Sequence, residues 1–262
     1  MNFNLTALSI DTSQQHTITV GGVAGASHLN GNLSSPIIYE GYQPGVTKGD
    51  IIDITAIPLT KYARQHRILK INGAIAEVVA IFNNYRNIAY NTTSSTATFS
   101  DGKTGQKYAD SNVDSILTTY YNNFPEELKA AVIPKTIAQY SFKWGSGSTY
   151  TGTNRSGGTI TLGKAGTYPI GERNVYLLGI DDIVDYVGNG ADNLNPTNIN
   201  AAFRGGRATS DSLLLRDTQQ STNQVFAIPY LNSLLPYPAT STLSFMPAMT
   251  IDLSKTTWTK VE

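Results

Sequence analysis

Tyr176-Leu177-Leu178-Gly179-Ile180-Asp181-Asp182-Ile183-Val184-Asp185-Tyr186-Val187-Gly188 passes from strand to helix within a few residues. Val175 to Leu178 is an apolar run of strand length. Asp181 is the natural helix N-cap, because its carboxylate can accept a hydrogen bond from a free amide two or three residues on. Gly188 stops the helix, since glycine takes the left-handed conformation at little cost. Ile180, Ile183, Val184 and Val187 share one face at helical spacing, so strand and helix pack on one core. The last two-thirds of the chain is expected to be built around this unit, which carries no catalytic motif.

The flanking segments divide the chain in two. Residues 1–62 are turn-rich, with extended stretches at His16–Val20, Pro36–Tyr42 and Gly49–Ile57. They are expected to form a β-rich N-terminal arm or small domain that attaches to a partner. Residues 63–262 are expected to form the main α+β domain, with short antiparallel sheets and two or three short helices. Within it, Ile68–Ile71, Asn72-Gly73 and Ala74–Phe82 read as a hairpin around a type I′ turn. Periodicity alone leaves Ala74–Phe82 open to a helical reading. Residues 91–107 read as a polar loop. Ser111, with Asp114 three residues on, caps a helix whose apolar stripe is Val113, Ile116, Leu117, Tyr120, Tyr121 and Phe124. Pro125 opens a second short helix and Pro134 closes it. Residues 145–166 read as a long loop or a hairpin around Thr159–Leu162, residues 189–211 as a long loop, and Leu213–Arg216, Val225–Ile228 and Leu243–Ile251 as closing strands.

Composition narrows the function. The 262 residues carry 19 basic and 19 acidic side chains, so the formal net charge is zero. That argues against nucleic-acid binding or an anionic membrane surface. Only 15% of residues are charged, against roughly 25% usually. Thr, Ser, Asn, Gly and Tyr supply the missing polarity, a balance suited to surfaces buried between subunits. Cysteine is absent, which removes disulfides and thiolate metal sites. The start Met1-Asn2-Phe3-Asn4-Leu5 lacks the basic and apolar regions of a signal peptide. Synthesis in a host cytoplasm and release within a particle fits both observations.

Four blocks carry a resemblance. Tyr108–Leu117 is similar to a Ser-x-(Ile/Leu)-Arg-x-(Trp/Tyr)-Leu helix start. Val175–Ile183 is similar to a Val-Phe-Leu-Leu-Ser-x-x-Glu strand-to-helix unit. Leu213–Asp217 resembles a Trp-Trp-Leu-Arg-Ser strand, and Met246–Leu253 a Val-Arg-Pro-Ala-Leu ending. In this order they resemble an uncharacterised domain family of Firmicutes and their phages and prophages, over roughly residues 65–255. Both tryptophans and the serine of the third block are replaced, and Met246 stands where the family has arginine. The resemblance implies a C-type-lectin-like fold and a phage virion protein of tail, baseplate or fibre that presents a host-binding domain. It implies no catalytic residue and therefore no enzyme.

The alternatives are a capsid or collar protein with no ligand and a carbohydrate-active enzyme. The ligand-binding expectation falls on Trp144, Tyr150, Tyr168, Arg204 and Arg207, aromatic and basic residues in or beside polar loops. Tyr85, Tyr90, Tyr108, Tyr230 and Tyr237 share that setting. No cofactor is required; the one metal expectation is Ca²⁺ at Asp192, Asn193 and Asn195, whose oxygens suit a hard cation. His16, His28 and His66 lack metal-ligand spacing and are expected at the surface or in turns. Expected partners are other virion proteins through residues 1–62, further copies of the chain, and a host cell-surface glycan.

Overall fold

The structure, a computed structural model, describes residues 45–58, 64–81, 85–92, 95–204, 212–229 and 234–261. The strands expected at His16–Val20 and Pro36–Tyr42, together with His16, His28, Arg207 and Tyr230, lie outside these residues.

A seven-stranded sheet begins with β1 (Ile51–Ile54), β2 (Gln65–Asn72) and β3 (Ile75–Ala80). It is completed by β7 (Val132–Ile133), β11 (Val175–Tyr176), β16 (Ala248–Asp252) and β17 (Trp258–Lys260). Its order is β11-β16-β3-β2-β1-β17, with β7 also on β16, and every pairing is antiparallel. An eight-stranded sheet contains β4 (Tyr85–Ala89), β8 (Lys135–Trp144), β9 (Tyr150–Thr153) and β10 (Thr159–Arg173). Its remaining strands are β12 (Leu213–Gln219), β13 (Gln224–Ile228), β14 (Leu235–Pro238) and β15 (Thr242–Phe245). The order is β14-β13-β12-β8-β10-β9, with β15 beside β12 and β4 beside β15. β12 runs parallel to both β8 and β15. A two-stranded hairpin joins β5 (Thr96–Thr98) to β6 (Thr104–Gln106).

Four helices accompany the sheets among the described residues: α1 (Asn112–Asn122), α2 (Glu126–Ala131), α3 (Ile180–Val187) and α4 (Pro196–Arg204). With 45% strand and 17% helix the protein is mostly β, built of curled, largely antiparallel sheets as expected but with these four short helices rather than two or three. No helix among the described residues is long and apolar enough to cross a membrane.

One apolar cluster joins both sheets and the helices, including Ile54, Ile68, Val78, Leu117, Leu128, Phe142, Leu177, Ile183, Phe203, Leu215, Phe226 and Ile251. Along β8 Ile137, Gln139 and Ser141 alternate inward, whereas Phe142 beside them is also buried and Lys143 and Trp144 are both exposed.

Several local expectations shift. Ile51–Ile54, assigned to the arm, is paired with β2 on one side and β17 on the other, so the seven-stranded sheet runs across the 62/63 boundary. The β2–β3 hairpin forms, but Asn72 pairs with Ile75, which leaves Gly73-Ala74 as the turn. Only Gly73 has positive φ, at 57°, whereas type I′ needs it at both central positions. Residues 91–107 contain the β5–β6 hairpin rather than a plain loop. Residues 145–166 hold β9 and much of the 15-residue β10. Part of 189–211 is α4, and 243–251 breaks into β15 and β16 at Met246-Pro247.

Helix α1 starts as expected, with the Ser111 hydroxyl accepting the Asp114 N–H at 3.1 Å. The Asp114 carboxylate turns to the Asp110 N–H and forms a two-pronged pair with Arg173. Helix α3 is not capped by Asp181. Its N-cap is Gly179, and the free amides of Gly179 and Ile180 go to Asp182 at 2.7 Å and Asp217 at 2.6 Å. Gly188 does end the helix, at φ 94°.

A Cβ on Gly179 would meet the Arg216 guanidinium and the Asp217 carboxylate, each at 2.8 Å. Gly179→Ala should therefore cost about 2 kcal/mol and lower the melting temperature by about 5 °C. Gly102→Ala, at φ 73° with open space around it, should cost only the left-handed penalty of about 1 kcal/mol. Equal losses in a calorimetric comparison would show that crowding is not what holds glycine at 179.

Candidate functional site

The polar interior fixes how the loops are carried. Arg216 on β12 is almost wholly enclosed. Its Nε donates to the Ala138 carbonyl at 2.8 Å and its Nη1 to the Leu177 carbonyl at 2.8 Å, and the same Nη1 meets the Asp182 carboxylate. The neighbouring Asp217 accepts the Tyr140 N–H at 2.9 Å through one oxygen and the Ile180 N–H through the other. Two adjacent residues of one strand thus bind β8, the end of β11 and the start of α3. Gln139 lies alongside: its carbonyl accepts the Tyr108 N–H, and its NH₂ faces the carbonyls of Gln106 and Arg216, each at 2.7 Å. The Tyr90 hydroxyl donates to the Arg216 carbonyl, and the Tyr108 hydroxyl accepts the Leu177 N–H. Tyr90 and Tyr108, expected beside polar loops, are core residues of this network.

Charge follows from these contacts. Burial works against the Asp182 carboxylate, but Arg216 and Lys135, with the Gly179 amide, outweigh it and hold the carboxyl below its usual range. Asp217 has no guanidinium hydrogen bond, and burial pushes its carboxyl up to about 6. At the mouth of the cluster Glu77 is paired with Lys135 and accepts the Tyr176 hydroxyl at 2.9 Å. The bonded partner of Arg216 is not its neighbour Asp217 but Asp182, 34 residues away along the chain.

Residues 145–149 and 189–195 of the loops expected to carry ligand contacts lie together at one end of the eight-stranded sheet. There Tyr150, Leu162 and Trp144 occupy one row across β9, β10 and β8. The 189–195 loop lies along the edge strand β9: Thr153 N–H donates to the Leu194 carbonyl and Gly190 N–H to the Thr151 carbonyl. The Asn189 side chain accepts the Thr151 N–H at 2.8 Å and donates to the Ser148 carbonyl at 2.9 Å. Asn154 organises the β9–β10 turn by accepting the amides of Ser156 and Gly158. Amide side chains, whose short reach suits capping of turn backbone, therefore rigidify this tip. On its flank Lys164 is paired with Asp181 and stands 3.7 Å from the Tyr140 ring centroid.

The expected contact residues separate on this frame. Trp144 is 37% exposed and stacks nearly parallel on Phe226, ring centroids 6.3 Å apart. Tyr150 is fully buried, because the alternation of β9 turns it inward with Gly152, so it cannot meet a ligand at the surface. Tyr168 is half-buried against Phe99, six residues along β10 from the Trp144 row. Arg204 is the last residue of α4. Tyr237 is partly covered and meets the Ser212 hydroxyl.

Around the residues expected to hold Ca²⁺ the loop bonds to itself through the Asn193 and Asn195 side chains and the Asp192 backbone. The Asn195 NH₂ donates to the Asp192 carbonyl at 2.7 Å, and its oxygen accepts the Asn198 N–H at the start of α4. The Asn193 NH₂ donates to the Asn189 carbonyl. Among the described residues no group of three or more His, Asp or Glu is placed to hold a metal ion. His66, expected at the surface, is buried in β2. Neither the inward turn of Tyr150 nor the Arg216–Asp182 pair has a local sequence signal, since both depend on strand register.

No protein-family model matches the chain, and neither a curated protein nor a solved structure matches it.

The raised Asp217 carboxyl gives a signed expectation. A folded-state value above the unfolded one means that the folded protein holds the proton more tightly. The stabilising contribution is then full below the unfolded value near 4 and is lost as pH rises through about 6. Asp217→Asn removes that dependence. The stability advantage of the native protein over this variant should shrink by about 2 kcal/mol between pH 4 and pH 7. A difference that stays constant across urea titrations at these pH values would contradict the raised carboxyl.

Proposed function

We propose that this chain is a non-enzymatic structural protein of a bacteriophage particle, a tail, baseplate or fibre component that presents a lectin-like binding tip to the host surface. The observation that carries the reading is the tip itself. An exposed indole is held flat on Phe226 at the end of a sheet whose neighbouring loops are tied down by Asn154 and Asn189. A preorganised aromatic face ringed by neutral polar loops suits a ligand with alternating apolar and hydroxyl surface, as a cell-wall sugar has. Zero net charge, the four-block resemblance and the absence of cysteine support placement in a particle. On this reading the residues before β1 hold the protein to other virion proteins, and further copies of the chain assemble around it.

A second reading, an assembly protein of capsid or collar with no ligand, draws on a different observation. Ile75, at the β2–β3 turn, is the other large apolar side chain exposed among the described residues, as a subunit contact would require.

Binding of the purified protein to envelopes of Firmicutes hosts, with and without free cell-wall sugars, separates the two. The adhesive reading expects sugar-competed binding that weakens about tenfold or more in Trp144→Ala, the loss typical of a central aromatic contact. Binding indifferent to that substitution would move the contact away from the tip. No binding to any envelope would leave the assembly reading.

A further inference from the structure

We infer that His66 is an acid-sensitive latch on the outer β1–β17 pair of the seven-stranded sheet, holding β1 in place while neutral and loosening it once protonated. His66 is 1% exposed, and its row neighbours are Ile52 on β1 and Ala80 on β3. Its Nδ1 lies 2.8 Å from the Arg64 carbonyl. A carbonyl can only accept, so Nδ1 carries the proton and Nε2 bears the lone pair. That Nε2 is buried with no hydrogen-bond partner. An added proton would there be a buried cation with no acceptor beside it.

The charged groups disposed around the ring do not relieve this. Asp53 of β1 is held by Arg64 in a two-pronged pair at 2.9 and 3.1 Å. Lys260 of β17, across the row beyond Ile52, is turned outward to Asp50 at 2.9 Å. Arg67, next along β2, donates to the Gly49 carbonyl. Asp53 favours the protonated ring only weakly against burial, and His66 stays neutral down to about pH 4.

The sheet offers one inexpensive way to hydrate the ring. β2 and β3 form a long central hairpin, whereas β1 and β17 are four and three residues long and lie at the sheet margin. Withdrawal of β1 removes Ile52 from the row and admits water to Nε2. In that open state the histidine returns to its ordinary value of about 6.5. Each pH unit below this value therefore favours the open state nearly tenfold, until about pH 4. At pH 5 the open population should exceed its neutral-pH level about thirtyfold.

Amide hydrogen exchange on the full chain reads the latch. After correction for intrinsic rates, the Ile54 and Ile68 amides, which bond to Arg64 and Asp50, should lose about thirtyfold in protection between pH 7.5 and pH 5. The β9–β10 amides should hold theirs. In His66→Gln the first loss should vanish. Protection that is flat with pH in the native protein, or an equal loss in the variant, would overturn the latch. Should His66→Gln fail to fold, the ring-carbon NMR titration of native His66 decides alone. A midpoint well below 6 supports the latch, and one at or above 6.5 overturns it.

Discussion

The fold turns on a backbone problem at one point. At Leu177–Ile180 the chain leaves β11 and starts α3 inside the core, where a carbonyl and two amides lose their regular partners. Water cannot reach them. Arg216, Asp182 and Asp217 supply the missing donors and acceptors: Arg216 to the Leu177 carbonyl, Asp182 to the Gly179 amide and Asp217 to the Ile180 amide. A buried guanidinium is costly unless fully bonded, and Arg216 also donates to Ala138 in β8. The requirement of one turn thereby becomes a tie between both sheets and a helix. The same crowding excludes any side chain at 179.

How much of this a reader can see in the sequence depends on range. Short-range signals were legible: the Ser111 cap, the α1 stripe, the stop at Gly188 and the β2–β3 hairpin all appear close to where composition and spacing put them. Asp181 was misread as a cap because two carboxylates stand side by side in Asp181-Asp182, and a third, Asp217, approaches from β12. Only the tertiary arrangement decides which of them meets which amide. Tyr90, Tyr108 and Tyr150 were read outward for a related reason. A tyrosine flanked by polar residues looks like a surface residue until strand register and a buried hydroxyl partner turn it inward. Trp144 was read as exposed because the Gly145-Ser146-Gly147 turn follows it directly, and it is exposed.

The two long loops were legible only in part, the hairpin at Thr159–Leu162 being the part the structure forms. Their Gly, Ser, Thr and Asn content is a turn signal, yet β9 and β10 occupy most of 145–166. The many threonines of β10 suit a strand as well as a loop. Pairing with the ten-residue β8 provides the ladder that settles the choice. In the 189–195 loop it is the Asn189 side chain that serves the edge of that sheet, while Asn193 and Asn195 bond within the loop and to the start of α4. Edge strands with unmet backbone groups invite unwanted pairing. Here Gly190, Leu194 and Asn189 meet the groups of β9, while Pro236 and Pro238 limit the donors of the opposite edge strand β14.

These ties bear on the surface as well as the core. The ion pairs Asp53–Arg64, Glu77–Lys135, Asp114–Arg173 and Asp182–Arg216 are all largely enclosed. A chain already poor in charge therefore commits part of it to the interior, and the surface left behind is neutral and rich in hydroxyls and amides. Such a surface loses little on desolvation, because few full charges must shed water. Recognition then falls to shape and to aromatic faces. That is the physical setting in which a single indole, kept flat on Phe226 and flanked by loops whose amides are already bonded, can carry a contact.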